Sequence, residues 1–325
     1  NFKKGFIMTN KQKYREFCKI EKNIPVFSID WWLDSVCGEE NWDVAIVEKG
    51  GEIWATMPYY IKKKWGFTLI TMPPLTQKLG PYIKYPQGQK YYKKLSWEKE
   101  IMNELIDQLP KFDYFYQQWD YTITNWLPFY WRGFKQTTRY TYKIDKEIDI
   151  NILEKDFETD VRRRRRRKAS ELGIKIINNE NIEVFYELNI MTFERKNKSV
   201  PYNFDLVKKI YEITKKNNSS KLSFAFYNEK AISAAFLVSD SNSVYYLMGG
   251  IDSLYKDLGG MDLILYNSIK WTLNQGKNFD FEGSIVESIE KYFRSFGSIQ
   301  TPYFAVYKIN SRILKIKECL KELLR

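Results

Sequence analysis

The chain has 325 residues with a net charge of +12, 44% hydrophobic and 17% aromatic residues, and no histidine. This composition is typical of a globular protein large enough for two lobes, and the positive charge predicts attraction to polyanions such as coenzyme A, nucleic acid or an anionic membrane surface. Without histidine, Ser–His and Cys–His catalytic arrangements and most zinc sites are excluded, so a general base must be a carboxylate, a tyrosine, a lysine, water or the substrate itself.

Hydrophobic spacing divides the first half of the chain into helices and strands. Tyr14, Phe17 and Cys18 share one face of a first helix, and Asp30 is placed to cap a second. Three strands joined by short turns come next, at 43–47, 53–60 and 67–72. The remaining predicted elements are a helix around 101–109, a strand at 112–117, a helical or turn segment at 124–131 and a strand at 134–144.

The second half predicts the same order again. A basic helix and a short strand at 173–177 come first, and Asn181 and Asp205 occupy positions typical of helix N-caps. The later predicted elements are strands at 222–227, 231–238 and 244–248, a helix at 260–274, a strand at 278–281, a helix at 285–296, a strand at 302–309 and a helix from 311. Each half therefore predicts a mixed, largely antiparallel sheet flanked by helices, with a boundary near residues 145–151.

Cysteine and hydropathy patterns indicate the compartment. Cys18, Cys37 and Cys319 are few and widely separated, which argues against a disulfide framework and against a metal site. No segment approaches the roughly 18 to 20 apolar residues that cross a bilayer, and the first residues lack the apolar core of a signal peptide. The sequence therefore predicts a cytoplasmic protein without a metal, for which peripheral contact with an anionic membrane stays open.

A segment containing glycines follows the predicted strand at 244–248 and leads into a predicted helix. Glycine lets backbone amides approach phosphate oxygens closely, and a helix N-terminus attracts negative charge. The candidate phosphate-binding residues are Gly249, Gly250, Lys256, Gly259 and Gly260. A bulky residue at either of the last two positions is expected to weaken donor binding and to spare the fold. The alternative is that these glycines simply form turns.

The most specific pattern lies in the last fifty residues. A strand ends in Asp280-Phe281-Glu282-Gly283, a helix then presents Phe293-Arg294, and Phe296-Gly297 and Tyr303 follow. Three further motifs accompany it, at 125–131, 133–142 and 166–169. Together these motifs resemble those of Fem-type transferases and of the GNAT acyltransferases related to them, over about residues 27–308. The glycine-containing segment likewise resembles the GNAT pyrophosphate loop.

The resemblance implies an α/β (α+β) fold of two tandem GNAT-like lobes. Residues 1–145 would form the acceptor side and residues 146–325 would carry the acyl-donor site. The implied reaction moves an acyl group from acyl-coenzyme A to an amine of a sugar or of a cell-surface polymer precursor. The alternative is a Fem-type transfer from aminoacyl-tRNA to a peptidoglycan precursor. The chain has no long heptad arm of the kind that some Fem enzymes use for tRNA, which favours coenzyme A.

The resemblance also assigns roles to individual residues. Arg294 stands where the family places a cation, usually lysine, near the acyl carbonyl, and Asp280 or Glu282 would accept a proton from the attacking amine. Tyr303 is a further catalytic candidate. The acceptor-binding candidates are Asn125, Trp126, Tyr130 and Arg139. Burial in the core is the alternative for the two carboxylates and for the aromatic residues.

Residues Arg162 to Lys168 form a run of seven consecutive cations. On a helix these side chains would point in every direction and repel one another, so a solvated helix is the plain interpretation. The same charge density would bind nucleotide phosphates or the backbone of tRNA. The run also leaves open a protein of another class, a non-catalytic nucleic-acid-binding protein.

Overall fold

The computed structural model describes residues 8–157, 161–283 and 285–323, with side chains throughout except at 161, 162 and 319–323. The elements of the first half are α1 (Asn10–Ile20), α2 (Asp30–Cys37), β1 (Trp42–Lys49), β2 (Glu52–Lys64), β3 (Phe67–Thr71), β4 (Tyr82–Ile83), α3 (Tyr91–Asp107), β5 (Tyr114–Gln118), α4 (Leu127–Trp131) and β6 (Lys135–Ile144). Those of the second half are α5 (Ile150–Asp156), α6 (Val161–Glu171), β7 (Lys175–Asn178), α7 (Ile182–Glu194), α8 (Phe204–Lys216), β8 (Ser220–Tyr227), β9 (Lys230–Ser239), β10 (Ser243–Ile251), α9 (Gly260–Asn274), β11 (Asn278–Asp280), α10 (Glu287–Arg294), β12 (Ile299–Ile309) and α11 (Arg312–Leu323). The predicted helices and strands are confirmed, and the elements of the described residues that were not predicted are α5, β4 and three short 3-10 helices at Val26–Ser28, Glu39–Asn41 and Ser253–Leu258.

The chain divides into two compact units. Unit 1 contains the described residues up to Arg139 together with those from Pro302 onward, and unit 2 contains Tyr140–Thr301. The sequence-based division at residue 145 differs from this mainly at the C-terminal end, because residues from Pro302 onward group with unit 1.

The sheet of unit 1 has the strand order β1-β2-β3-β5-β12. Neighbouring strands are antiparallel except β3 and β5, which are parallel and are joined through α3. A parallel pair needs such a crossover, and a helix normally provides it. The core is rich in large rings, with Phe115, Trp119 and Phe129 fully buried beside Ile101 and Leu105 of α3.

The sheet of unit 2 has the strand order β7-β8-β9-β10-β11-β6. Here β10 and β11 are the parallel pair, and α9 is the crossover between them. Buried residues of α9, among them Ile264, Leu265 and Ile269, pack in one core with Phe279 of β11 and Phe281. The two units therefore share one plan, an antiparallel meander followed by a helix and a parallel strand.

The last strand of each sheet comes from the other half of the sequence. Residues 305–309 of β12 pair antiparallel with β5, and Lys143 and Ile144 of β6 pair antiparallel with β11. The predicted boundary near residue 145 places β6 at the end of the first lobe and β12 at the end of the second, and the strand pairing shows that this assignment is wrong. Hydrophobic alternation identifies a strand, but it carries no information about which edge the strand joins.

The structure also bears on the compartment and metal predictions. No helix within 8–157, 161–283 and 285–323 is long and apolar enough to cross a membrane. In the same ranges no group of three or more His, Cys, Asp or Glu side chains is arranged to hold a metal ion. Cys18 and Cys37 are buried and free, and burial raises the pKa of each thiol to about 12, so neither is a thiolate at neutral pH. The side chain of Cys319 lies outside the described residues.

Candidate active site

Strands β10 and β11 part from each other in the middle of the unit 2 sheet. They pair only from Ser243 opposite Asn278 to Tyr245 opposite Asp280. Beyond that point β10 runs on to Ile251, whereas the chain after β11 stays with β6, where the Phe281 amide donates a hydrogen bond of 2.9 Å to the Tyr142 carbonyl. The parting of the two strands opens the sheet directly before α9.

Side chains of α7 make hydrogen bonds to the part of β10 that no longer pairs with β11. The Asn189 Nδ2 donates to the Gly249 carbonyl at 2.8 Å, and the Ile251 amide donates to the Thr192 hydroxyl at 2.9 Å. The Tyr202 hydroxyl in turn donates to the Asn189 Oδ1 at 3.0 Å. A register shift in the pairing with β9 lies between Tyr246 and Met248, so β10 carries a bulge at this point. Bulges are frequent next to active sites, where they redirect backbone and side-chain groups.

Two partly buried tyrosines, Tyr202 and Tyr246, lie next to this part of β10. Burial raises the pKa of the Tyr246 hydroxyl well above its ordinary value and raises that of Tyr202 to about 12. Both hydroxyls therefore stay protonated at neutral pH and can donate a proton or a hydrogen bond. The Tyr246 ring packs edge to face against Phe281 and Phe293, which fixes its position. Asn189, Thr192, Tyr202 and Tyr246 were not among the sequence-based candidates, although an asparagine on the apolar face of a predicted helix was a usable signal.

The glycines of the predicted phosphate-binding segment are required by the packing of the protein itself. A Cβ at Gly250 would lie 2.6 Å from the Asn189 amide, and one at Gly249 would overlap the Tyr246 hydroxyl. Gly259 has a φ of +83°, and its Cβ would come within 3.0 Å of the Arg165 carbonyl of α6. Gly260 faces Ser233 at 3.1 Å. The expectation that a bulky residue at Gly259 spares the fold is therefore wrong, because both the dihedral angle and the space exclude a side chain.

The N-terminus of α9 nevertheless has the features of an anion site. Gly259 caps this helix of 15 residues without a side-chain hydrogen bond, so the first amides of the helix are left without a capping side chain. Lys256 is exposed in the turn that precedes the helix, and the Lys168 Nζ donates to the Asp257 carbonyl of the same turn at 3.3 Å. Backbone amides, the helix dipole and the two lysines would therefore all attract an anion to this helix end.

Asp252 holds the turn that connects β10 to α9. Its carboxylate accepts the Leu254 amide at 3.0 Å and pairs with the Lys230 Nζ at 2.8 Å. Burial alone would raise the pKa of Asp252, but these two partners outweigh burial and lower it. A pKa that is lower in the folded state gives stability above the unfolded pKa, near 3.9, and this stability is lost as the pH falls through the folded pKa.

We therefore expect Asp252→Asn to lower the free energy of unfolding by roughly 1–2 kcal/mol at pH 7, since the asparagine keeps an acceptor for Leu254 and loses the ion pair. Urea unfolding at pH 7 and at pH 3 should show the difference shrinking at the lower pH. Asp257→Asn is the matched control, because Asp257 is exposed in the same turn. A difference between Asp252→Asn and the parent protein that is constant with pH would contradict this account.

The predicted catalytic residues fall into three places. Asp280 ends β11, is fully buried, and accepts hydrogen bonds from the Thr141 hydroxyl and from the Glu282 amide at 2.8 Å. Glu282 is also buried and has a φ of +61°, a left-handed conformation that is uncommon for a residue with a side chain and is often found at functional sites. Arg294 lies at the end of α10, where its Nε is 3.1 Å from Glu290. Tyr303 belongs to unit 1, where its hydroxyl donates to Gln118 at 3.0 Å.

All four predicted acceptor-binding residues lie in unit 1. The Asn125 Nδ2 donates to the buried carboxylate of Glu98 at 2.8 Å, which fixes the loop before α4. Trp126 packs edge to face on Tyr130 with 5.5 Å between ring centroids, and Tyr130 itself is exposed. The Nε of Arg139 is buried and has no hydrogen-bond partner among the described residues, which is an unusual state for a guanidinium.

A basic cleft of about 810 Å³ lies between α6 and α9. Its lining is Arg163, Arg164, Arg166, Arg167, Ser170, Leu263, Tyr266 and Asn267. Arg166 is fixed in the wall, because it stacks 3.8 Å from the centre of the Tyr266 ring and pairs with Glu154 at 3.2 Å. Burial alone would raise the pKa of Glu154, but its bonds to Tyr266 and Arg166 lower it. Part of the predicted run of cations therefore makes contacts within the fold, as Arg166 does with Tyr266 and Glu154. The side chain of Arg162 lies outside the described residues.

Comparison with known proteins gives a direct match for this unit. Residues 155–292 match the family model of the GNAT acetyltransferase domain. The chain is an acyltransferase with a GNAT domain. The matched segment contains the basic helix α6, the opening between β10 and β11, and the whole of α9. The family resemblance inferred from the motifs is confirmed, and the non-catalytic alternative is not retained.

Solved structures show that the fold extends over both units. FemX aligns with 92% of this chain and 96% of its own at a TM-score of 0.67 and 15% identity. A conserved protein of unknown function from Bacteroides thetaiotaomicron aligns with 93% of this chain and 98% of its own at 0.57 and 11%. L-PGS from Bacillus licheniformis aligns with 98% of each chain at 0.55 and 12%. No curated protein sequence gives a significant match. The chain therefore has the two-unit fold predicted from its element order.

Proposed function

We propose that the protein is an N-acyltransferase that moves an acyl group from acyl-coenzyme A to an amine of a sugar or of a cell-surface polymer precursor. The observation that carries the proposal is the parting of β10 and β11 after Tyr245, directly before the N-terminus of α9. A slender acyl chain fits an opening between strands, and the phosphates of its carrier fit the helix N-terminus beside the cations of α6.

The same geometry suggests how the chemistry proceeds. The amine nitrogen attacks the thioester carbonyl carbon, the carbon–sulfur bond breaks, and the thiolate leaves. Asp280 or Glu282 would take the proton that the amine loses, and the protonated Tyr246 or Tyr202 would supply one to the leaving sulfur. Arg294 would stabilise the negative charge that develops on the carbonyl oxygen. These roles are proposals for the residues that the sequence and the opening single out.

A second candidate donor, aminoacyl-tRNA, is favoured by one observation. Four arginines line the cleft between α6 and α9, which is more charge than a single diphosphate needs. A longer polyanion such as the acceptor end of a tRNA would contact several of them at once. The resemblance of the sequence motifs to those of Fem-type transferases, which implies transfer from aminoacyl-tRNA, agrees with this donor.

The two donors can be separated by titration and turnover on one preparation. If acyl-coenzyme A is the donor, acetyl-coenzyme A should bind at physiological salt and support acylation of an amino-sugar acceptor, and aminoacyl-tRNA should not. The double variant Arg164→Gln/Arg167→Gln should then weaken coenzyme A binding only a few-fold. If aminoacyl-tRNA is the donor, the same variant should reduce the salt dependence of tRNA binding by about 1–2 in log–log slope.

A matched control removes two cations elsewhere. Lys208 and Lys216 lie exposed on α8, outside the lining of the cleft, and Lys208→Gln/Lys216→Gln has the same net charge as the arginine variant. An effect of equal size in both variants would show that only the overall charge matters. Turnover with aminoacyl-tRNA and none with any acyl-coenzyme A would overturn the first proposal in favour of the second.

A further inference from the structure

Large apolar side chains are exposed along one side of α3 and α4 in unit 1. Tyr92 is 61% exposed, Leu95 39% and Trp131 57%. Tyr92, Leu95 and Lys99 are three and four residues apart, so they follow one face of α3. The Lys99 Nζ lies 5.2 Å from the centre of the Trp131 ring, which joins this face to α4. The exposed apolar residues of the two helices are Tyr91, Tyr92, Leu95, Leu127, Tyr130 and Trp131.

Cations surround these rings. Four lysines lie in or immediately before the first half of α3, at positions Lys90, Lys93, Lys94 and Lys99. The Lys93 Nζ lies 5.6 Å from the centre of the Tyr92 ring, and the Lys94 Nζ lies 4.7 Å from the centre of the Tyr85 ring.

The acidic residues of α3 are engaged in bonds of their own. Glu100 and Glu104 both hold Lys49 of β1, and Asp107 pairs with Arg132. Glu98 is buried, where it accepts the Tyr85 hydroxyl at 2.9 Å and lies 3.8 Å from the Lys94 Nζ. Lys94 is therefore partly neutralised, but Lys90, Lys93 and Lys99 make no ion pair with the described residues, and this side of unit 1 is both apolar and positive.

We propose that the α3–α4 face docks on an anionic lipid surface. Tryptophan and tyrosine are the residues that favour the water–hydrocarbon boundary, and each lysine near an anionic bilayer adds to binding. Protein interfaces share the aromatic residues but are depleted in lysine, so the combination found here favours lipid over a protein partner. The arrangement is that of a helix lying in the interface plane. Docking here would hold the enzyme at a bilayer independently of which acyl donor it uses.

Vesicle co-sedimentation of the full chain tests the proposal. Vesicles of phosphatidylcholine with about one third phosphatidylglycerol should bind the protein, and vesicles of phosphatidylcholine alone should bind it at least tenfold more weakly. Tyr92→Ser/Leu95→Ser and, separately, Lys93→Gln/Lys94→Gln should each weaken binding to the anionic vesicles about tenfold or more. Thermal unfolding of each variant checks that the fold is retained.

Trp65→Ser supplies the matched control. Trp65 is 76% exposed in the turn between β2 and β3 and is also close to a lysine, with the Lys64 Nζ 4.2 Å from its ring centre. Unchanged vesicle binding by this variant, together with loss in the two α3 variants, would support the proposed face. Equal loss in Trp65→Ser, no binding to anionic vesicles, or loss of self-association in the α3 variants without any change in vesicle binding would each overturn it.

Discussion

Replacing Gly283 by alanine should destabilise the protein by about 3 kcal/mol or more. Gly283 has a φ of +70°, and a Cβ there would lie 2.8 Å from the Thr141 Cα and closer still to the Tyr140 carbonyl. These are backbone atoms of β6, which pairs with β11, so they cannot move aside. The strained dihedral and the overlap each cost about 1–3 kcal/mol.

Gly276→Ala separates the two causes. Gly276 has a similar φ of +64°, but nothing lies within 4 Å of its Cβ position. Its replacement should cost only the dihedral strain, about 1–2 kcal/mol. Chemical unfolding of both variants measures the difference, and an equal loss would show that β6 yields to the added methyl group.

Arg294→Ala should lower kcat about a hundredfold or more and leave the melting temperature nearly unchanged. The catalytic effect is the scale expected when a donor to a developing oxyanion is removed. The stability effect should be small because the Arg294 side chain is 58% exposed, and an exposed ion pair such as that with Glu290 contributes at most about 1 kcal/mol. Steady-state kinetics and thermal unfolding of the same preparation test both parts.

Two further variants define the role of Arg294. Arg294→Lys keeps the charge but loses the planar guanidinium, so it should recover part of the lost kcat. Glu290→Gln removes the ion pair and leaves the guanidinium in place, so it should keep most of the activity. Normal turnover in Arg294→Ala would remove this residue from the mechanism and leave it as a surface partner of Glu290.

Local features of the fold could be predicted where local sequence decides them. Asn181 was predicted to cap α7, and its side chain accepts the Val184 amide at 3.0 Å. The prediction was wrong for α8, which is capped by Asn203, whereas Asp205 lies in the first turn. Asparagine is favoured at the N-cap because its side chain accepts a backbone hydrogen bond, and aspartate is favoured in the first turn because the helix dipole stabilises its charge. Asp30 likewise begins α2, and Ile29 occupies the cap.

Long-range features could not be predicted in this way. Asn189 reaches the edge of β10 at Gly249, sixty residues further along the chain, and no local pattern reports that contact. The glycine segment shows a related difficulty. A glycine at position 259 would suit a phosphate loop, and it is also required by the close approach of α6. Only the position of Arg165 in the structure shows this second requirement.

The exchange of final strands sets the order in which the chain can fold during synthesis. Residues 140–301 are continuous and include β7 to β11 and the part of β6 that pairs with β11, so unit 2 can fold once they have left the ribosome. Most of unit 1 precedes unit 2 in the chain, yet β5 has no neighbour on its outer side until residues 305–309 of β12 emerge. Chains usually fold from the N-terminal domain onward, at the pace of translation. Here most of unit 1 is made before unit 2, but its sheet is completed after unit 2, and until then it exposes an open strand edge that invites aggregation.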